Sequence, residues 1–195
     1  MVQPFSEEEL SLISGDYFFV QKNKIFASLH ERFLQINNHI NKLKEKYNQN
    51  LPAEVNRKQG KISRGENYNN LPYMVLDNPN VFSNDGIFAF RLIFLWGKYF
   101  TLNIAISGKY FLHYQPYLPE VIKSFSQMNV YQLHDDQLWQ HYITSGYREI
   151  SEDSNFTPLN DFLKLTKVIE FDKVETLKIE TLNFYEMFLQ NIKHQ

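Results

Sequence analysis

The chain has 195 residues, 43% of them hydrophobic, and a formal net charge of −2, so a single domain over residues 1–195 is expected. The small net charge argues against nucleic acid or an anionic membrane surface as the partner. Because cysteine is absent, the chain has no disulfide framework, no thiolate zinc site and no cysteine nucleophile. The first ten residues lack the features of a signal peptide and no stretch suits a membrane span, so we expect a cytoplasmic protein.

The N-terminal quarter of the chain is predicted to be helical. Ser6 followed by Glu9 has the pattern of a capping box, so a short helix is expected over residues 7–13. Apolar residues then recur every three or four positions over residues 25–47, which predicts an amphipathic helix of about six turns. This helix is expected to lie across a sheet, and its apolar seam also suits a homodimer interface.

A polar connection separates this helix from the strands. Residues 48–70 contain one proline and two glycines and show no periodicity, which predicts a long loop with a short strand at 61–63. A loop of this length in a compact domain is usually functional or disordered. Residues 71–76 form the next predicted strand, and a turn follows at 77–80.

The centre of the chain is a predicted β-hairpin. Residues 87–95 are apolar on both faces except for Arg91, and residues 99–107 alternate between apolar and more polar side chains. These patterns are typical of two buried strands, and Gly97-Lys98 supplies the turn between them. Because the turn is short, the two strands are expected to be antiparallel neighbours.

The length of this turn decides which residue faces Arg91. A two-residue loop would place Arg91 opposite Ile104, whereas a three-residue loop would place it opposite Asn103. A guanidinium keeps its proton and is costly to bury unpaired, so we favour the three-residue loop. Arg91 is then expected to pair with a carboxylate, either Glu66 or Asp77.

The C-terminal half contains a mixture of predicted elements. In chain order they are a helix from Pro119, a strand at 130–133, a helical turn over 135–146, a strand at 162–171 and a final helix capped by Asp172 and Glu175. We therefore predict an α+β fold, in which an antiparallel sheet of about four to six strands carries long N-terminal and C-terminal helices.

No specific catalytic motif is present in the sequence. The chain lacks a phosphate-binding glycine loop, a GxSxG elbow, an HExxH motif and an EF-hand loop. One group contains residue types that bind divalent metals, and consists of His134, Asp135, Asp136 and His141. Its two histidines are too widely spaced for a usual metal motif and its aspartates are ordinary helix starters, so we predict no metal site and no cofactor.

A second group of polar side chains is the candidate binding pocket. It consists of Arg64, Glu66, Tyr68, Tyr73, Asp77 and Arg91. Alternation along the strand at 71–76 puts Tyr73 and Asp77 on one side, where they would form a polar pocket if that side faces Arg91. A simple ion pair that neutralises Arg91 is the other interpretation. An aromatic group also suits a groove for a base, a sugar or a peptide, and consists of Tyr110, Phe111, His113, Tyr114, Tyr117, Trp139, Tyr142 and Tyr147.

Two functions are compatible with these patterns. The leading hypothesis is a non-catalytic domain that binds a small molecule or a protein, including a second copy of itself through the long helix. The alternative is a hydrolase or nuclease-like enzyme that uses Arg64, Glu66, Asp77 and Arg91, and it requires Glu66 and Asp77 to lie in one pocket.

Residues 61–108 include the stretches ISRGENY and LPYMVLD. With these stretches the chain resembles the central portion of an uncharacterised family of Bacteroidetes proteins of similar length. The resemblance implies a bacterial, cytoplasmic protein. It implies no activity, and it assigns no catalytic or binding residues.

Overall fold

A computed structural model describes residues 4–154 and 161–193 of the chain. Its strands form one antiparallel sheet of seven strands in the order β1-β2-β3-β4-β7-β5-β6. The strands are β1 (Lys61–Tyr68), β2 (Leu71–Ser83), β3 (Gly86–Leu95), β4 (Tyr99–Ser107), β5 (Val130–Leu133), β6 (Tyr147–Glu149) and β7 (Phe162–Ile169).

Helices precede the sheet, interrupt it after β4 and follow it. They are α1 (Glu7–Ser14), α2 (Tyr17–Lys46), α3 (Ala53–Asn56), α4 (Gly108–Tyr114), α5 (Leu118–Ser124) and α6 (Leu177–Asn191). Short 3₁₀ segments occur at Asn48–Asn50, Gln115–Tyr117 and Phe171–Thr176. Among the described residues, no helix has both the length and the apolar character that crossing a membrane requires.

The α+β class and the antiparallel sheet agree with the sequence prediction, whereas the number of strands exceeds it by one. The additional strand, β6, has only three residues, too few for an alternating pattern to show in the sequence. The predicted strand at 61–63 is longer than expected and continues to Tyr68. The predicted start of the final strand is correct, because β7 begins at Phe162.

The central hairpin has the register expected of a three-residue loop. Leu95 is opposite Tyr99, and Arg91 is opposite Asn103. Gly97 adopts a φ of +69° inside this loop, a conformation that glycine reaches without steric cost. The predicted register is therefore confirmed, and it sets Asn103 as the neighbour of Arg91 on β4.

The main core lies between one face of the sheet and the helices that cover it, and we call this face the helix face. The apolar seam of α2 is buried there, from Phe26 through Phe33 to Ile40. Helix α6 adds Phe184 and Phe188 to the same core. Each such side chain contributes about 1.5–3 kcal/mol when fully buried. The seam of α2 is thus occupied by the core, as expected of a helix laid across a sheet.

The two predicted capping boxes have different outcomes. The Ser6 hydroxyl accepts from the Glu9 backbone N–H at 3.2 Å and the Glu9 carboxylate accepts from the Ser6 N–H at 2.7 Å, so the first box is confirmed. The second prediction is wrong, because α6 begins after a 3₁₀ segment and Thr176 makes no side-chain cap. Glu175 instead pairs with Arg32 of α2 at 2.9 Å.

Candidate functional site

A row of polar side chains crosses the other face of the sheet. Asp77, Arg91, Asn103 and Thr166 are directly opposed, one after another, on β2, β3, β4 and β7. Directly opposed residues of antiparallel strands point to the same face, so these four side chains form a continuous polar row. Apolar residues such as Ile93 lie beside the row. On the helix face, by contrast, β3 and β4 contribute buried apolar side chains such as Phe90 and Ile104.

Hydrogen bonds link successive members of the polar row. Arg91 Nε donates to Asp77 Oδ1 at 2.6 Å. Asn103 Nδ2 donates to the backbone carbonyl of Arg91 at 3.3 Å, and Thr166 Oγ1 donates to Asn103 Oδ1 at 2.9 Å. Burial raises the pKa of the Asp77 carboxyl, and the adjacent Arg91 guanidinium opposes this rise. The row is thus a connected polar network within the sheet, as buried polar groups require.

An Ω-loop, residues 134–146, covers this face, which we call the loop face. Its ends meet where Leu133 pairs with Tyr147, and the His134 N–H donates to the Gly146 carbonyl at 2.7 Å. The predicted helical turn over 135–146 is wrong, because this segment has no helix or strand. Asp135 Oδ1 accepts from the Gln137 N–H at 2.8 Å, which is an Asx-turn in place of a helix cap.

Lys164 of β7 is one of the side chains that hold the Ω-loop in place. Only 1% of Lys164 is exposed, and its Nζ donates to the carbonyls of Leu138, at 2.8 Å, and Gln140. The Tyr147 hydroxyl donates to the same Gln140 carbonyl at 2.7 Å. The loop forms no strand, so its backbone carbonyls lack the hydrogen bonds of a sheet. The Lys164 and Tyr147 side chains donate to these carbonyls instead.

Two further tyrosines of the sheet bind the backbone of the Ω-loop. The Tyr68 hydroxyl accepts from the His141 N–H at 2.8 Å, and the Tyr99 hydroxyl accepts from the Ile143 N–H at 3.1 Å. Tyr68 also donates to the Gln140 side chain at 3.0 Å. Side chains from strands β1, β4, β6 and β7 therefore position one irregular loop, a typical property of functional Ω-loops.

Burial changes the protonation of two basic side chains in the layer under the loop. Burial lowers the pKa of Lys164 to about 7, and the nearby Arg91 contributes in the same direction. Burial, Lys164 and Arg91 together lower the pKa of His141 to about 2, so this imidazole is neutral. The buried Nδ1 of His141 has no hydrogen-bond partner among the described residues. The loop thus seals Arg91, Lys164 and a neutral histidine against the sheet.

An open cleft of about 530 Å³ lies beside this sealed layer. It is lined by the turn after β1 and by the Ω-loop, through Tyr68, Asn69, Asp136, Gln137, Leu138, Trp139 and Gln140. Trp139 is 48% exposed. The Trp139 ring centre lies 5.2 Å from the Arg91 guanidinium and 5.8 Å from the ring centre of Phe82. The indole is therefore supported by the polar row while part of it faces solvent.

The residues of the predicted pocket are divided between the two faces of the sheet. Arg64 lies on the helix face, with its guanidinium 4.2 Å from the Phe26 ring centre. Glu66 pairs with Lys22 of α2 at 2.5 Å. The hydrogen bond with Lys22 lowers the pKa of Glu66 most, and the hydrogen bond with Arg64 lowers it further. Arg64 also lines a separate cleft of about 430 Å³ between α2 and β1. Arg64 and Glu66, two of the predicted pocket residues, thus face α2.

The other four predicted residues lie on the loop face. Asp77 pairs with Arg91, and the rings of Tyr68 and Tyr73 have their centres 6.1 Å apart. A bulge between Gly65 and Tyr68 changes the alternation of β1, so Tyr68 turns away from the face that Glu66 occupies. The hydrolase or nuclease-like alternative required Glu66 and Asp77 to share one pocket, and the sheet lies between them.

The other two predicted groups also separate in the fold. Within residues 4–154 and 161–193, no three His, Cys, Asp or Glu side chains are grouped as metal ligands. Of the aromatic group, Tyr110, Phe111 and Tyr114 are buried in the main core. Trp139 alone among its members lines the 530 Å³ cleft. The aromatic pattern thus combined core residues with one residue of an open surface.

Trp139 belongs to the predicted aromatic group, but four other residues of the site are absent from the predicted sets. They are Asn103, Thr166, Lys164 and Gln140. Asn103 had a detectable signal, because it lies on the polar side of an alternating strand opposite Arg91. The others had none, because their proximity depends on the placement of β7 beside β4 and on the path of the Ω-loop.

No model of a known protein family matches this chain, and no curated protein or solved structure matches it either. The similarity of residues 61–108 to a Bacteroidetes family therefore stays a prediction. A fold alone does not specify a function, whereas the chemistry of a site does.

Proposed function

We propose that the protein is a non-catalytic binding domain that holds a small sugar in the cleft beside the Ω-loop. The observation that carries the proposal is Trp139, whose half-exposed indole is supported from below by Arg91 and is surrounded by amide side chains. Ligand sites are typically clefts of about 300–1,000 Å³ with an aromatic wall and a few polar groups, and the 530 Å³ cleft has this composition.

The polar groups of the cleft favour an uncharged ligand that is rich in hydroxyl groups. Asn69, Gln137 and Gln140 line it with amides, which both donate and accept hydrogen bonds, and Asp136 adds an acceptor. An indole offers an apolar face, on which the C–H side of a sugar ring can lie. A carboxylate or phosphate ligand would instead meet the negative charge of Asp136.

The anchors of the Ω-loop support this proposal because they fix the cleft before a ligand arrives. Lys164 and Tyr147 hold the carbonyl of Gln140, and Tyr68 holds its side chain. A wall that is already ordered loses little conformational entropy on binding. Trp139 lies directly before Gln140, so the same contacts limit the freedom of the indole.

Tryptophan fluorescence gives a direct test, because the chain has only two tryptophans. In a Trp96→Phe variant the remaining signal comes from Trp139. We expect a saturable change in its emission on titration with mono- or disaccharides, and no such change with nucleosides or free amino acids. If no sugar gives a saturable change, or if nucleosides do so instead, the proposal is wrong.

Calorimetry of cleft variants provides the matched control for this titration. Trp139→Ala should abolish sugar binding, and Gln137→Ala should weaken it about fivefold through the loss of one hydrogen bond. Gln127→Ala, which removes an amide outside the cleft, should leave the affinity unchanged. Retention of wild-type affinity by Trp139→Ala would place the ligand elsewhere.

A further inference from the structure

The N-terminal helices carry an exposed apolar surface, which we call the N-terminal patch. It consists of Leu10, Leu12, Ile13, Tyr17, Phe19 and Val20, each of them between 43% and 75% exposed. Single exposed apolar residues are common on proteins, but six of them within residues 10–20 are typical of an interaction surface. This group spans the end of α1 and the start of α2, and no residue of α1 is buried.

The patch lies beyond the part of α2 that the core covers. The first residue that α2 buries is Phe26, more than two turns after its start at Tyr17. In this first part, Phe18 makes a ring contact with Trp96, their centres 6.0 Å apart. Helices shorter than about 12–15 residues are marginally stable in water, so the eight residues of α1 need a surface against which to pack.

The charges around the patch are arranged so that two copies can neutralise one another. Glu7, Glu8 and Glu9 make the start of α1 acidic, whereas Lys24 adds a positive charge to the exposed side of α2. If α1 of one copy lies antiparallel to residues 17–24 of a second copy, the acidic start of α1 comes to lie beside Lys24 of that copy, and the two-fold symmetry of a dimer repeats this contact.

We propose that the N-terminal patch is a homodimer interface, in which α1 of one copy lies antiparallel to the first turns of α2 of a second copy. This pairing covers the apolar side chains of both copies and opposes unlike charges at each end. The acidic start of α1 disfavours an anionic lipid surface as the occupant. The interface differs from the seam over residues 25–47, because that seam is buried in the main core.

Sedimentation equilibrium of the full chain tests the proposal. The wild type should show a reversible monomer–dimer equilibrium as its concentration is varied. Leu12→Glu should raise the dimer dissociation constant on the order of a hundredfold, because it introduces a charge into the apolar contact of both copies. Ile179→Glu, on the exposed side of α6, is the matched control and should leave the equilibrium unchanged. A wild type that stays monomeric at every concentration would overturn the proposal.

Charge exchange tests the antiparallel pairing itself. Glu8→Lys and Lys24→Glu should each raise the dissociation constant about three- to tenfold at low salt, because each places like charges at both ends of the interface. The double variant Glu8→Lys/Lys24→Glu should restore the wild-type value. If it does not, the pairing is wrong. Binding of monomers to phosphatidylglycerol vesicles without dimer formation would also overturn the proposal and would assign the patch to lipid.

Discussion

Asp77 and Arg91 face each other directly across β2 and β3, and their side chains form a two-contact ion pair. Nε of Arg91 lies 2.6 Å from Asp77 Oδ1, and Nη2 lies 3.4 Å from Oδ2. The Arg91 side chain is only 14% exposed and the Asp77 side chain only 10%. Because Arg91 also supports Trp139, this pair connects the polar row of the sheet to the proposed sugar site.

Loss of the Asp77 carboxylate should destabilise the fold strongly. Asp77→Ala should lower the free energy of unfolding by about 3 kcal/mol, because it leaves the Arg91 guanidinium largely buried without its anion. The double variant Asp77→Leu/Arg91→Met should recover a large part of this loss, since neither charge then remains. Urea denaturation of the single and double variants measures both effects.

The exposed pair of Arg32 and Glu175 is the control for this prediction. The Glu175 side chain is 77% exposed, so Glu175→Ala should change the free energy of unfolding by less than about 1 kcal/mol. If Asp77→Ala costs no more than Glu175→Ala, then the Asp77–Arg91 pair does not have the structural role that its burial indicates.

The Asp77–Arg91 pair was predictable because it depends on local patterns alone. The length of one hairpin loop sets the partner of Arg91 on β4, and the cost of burying a guanidinium demands a carboxylate nearby. Asp77 ends the apolar part of the neighbouring strand, so it was one of the two available candidates. Local turn geometry and one electrostatic requirement were therefore sufficient.

The site around Lys164 was not predictable for the opposite reason. β7 inserts between β4 and β5, so Lys164 comes to lie near Arg91 through a pairing between segments that are far apart in the sequence. The Ω-loop carries Asp135 and Asp136, which are typical helix starters, but tertiary anchors from four strands determine its path. Likewise, the bulge in β1 that separates Tyr68 from Glu66 has no clear signature in the sequence.

Two glycines with positive φ should respond differently to alanine. Gly108 has a φ of +55°, and an added Cβ would lie 2.4 Å from the backbone oxygen of Asp85. Gly97 has a φ of +69°, but an added Cβ there meets nothing within 4 Å. Gly97→Ala should therefore cost only the backbone strain of about 1 kcal/mol, whereas Gly108→Ala should cost clearly more. Equal losses in urea denaturation would show that the chain relaxes around Gly108.

His141 should make the protein sensitive to acid. Its pKa falls from 6.5 to about 2 in the folded state, so below pH 6.5 the unfolded chain binds a proton that the folded chain excludes. The free energy of unfolding should consequently fall by about 1.4 kcal/mol per pH unit as the pH decreases below this value. His141→Phe should remove this part of the pH dependence, while His30→Phe, at an exposed position of α2, should retain it. Identical profiles for the two variants would contradict the prediction.

Lys164 should produce a pH dependence on the alkaline side. Its pKa falls from 10.5 to about 7, so between these values the unfolded chain holds a proton that the folded state has released. Stability should therefore rise with pH in this window, by about 1.4 kcal/mol per pH unit at most. Lys164→Met should flatten the rise, whereas Lys123→Met, at an exposed position of α5, should keep it. If Lys164→Met retains the wild-type slope in urea denaturation between these pH values, then Lys164 stays charged beneath the Ω-loop.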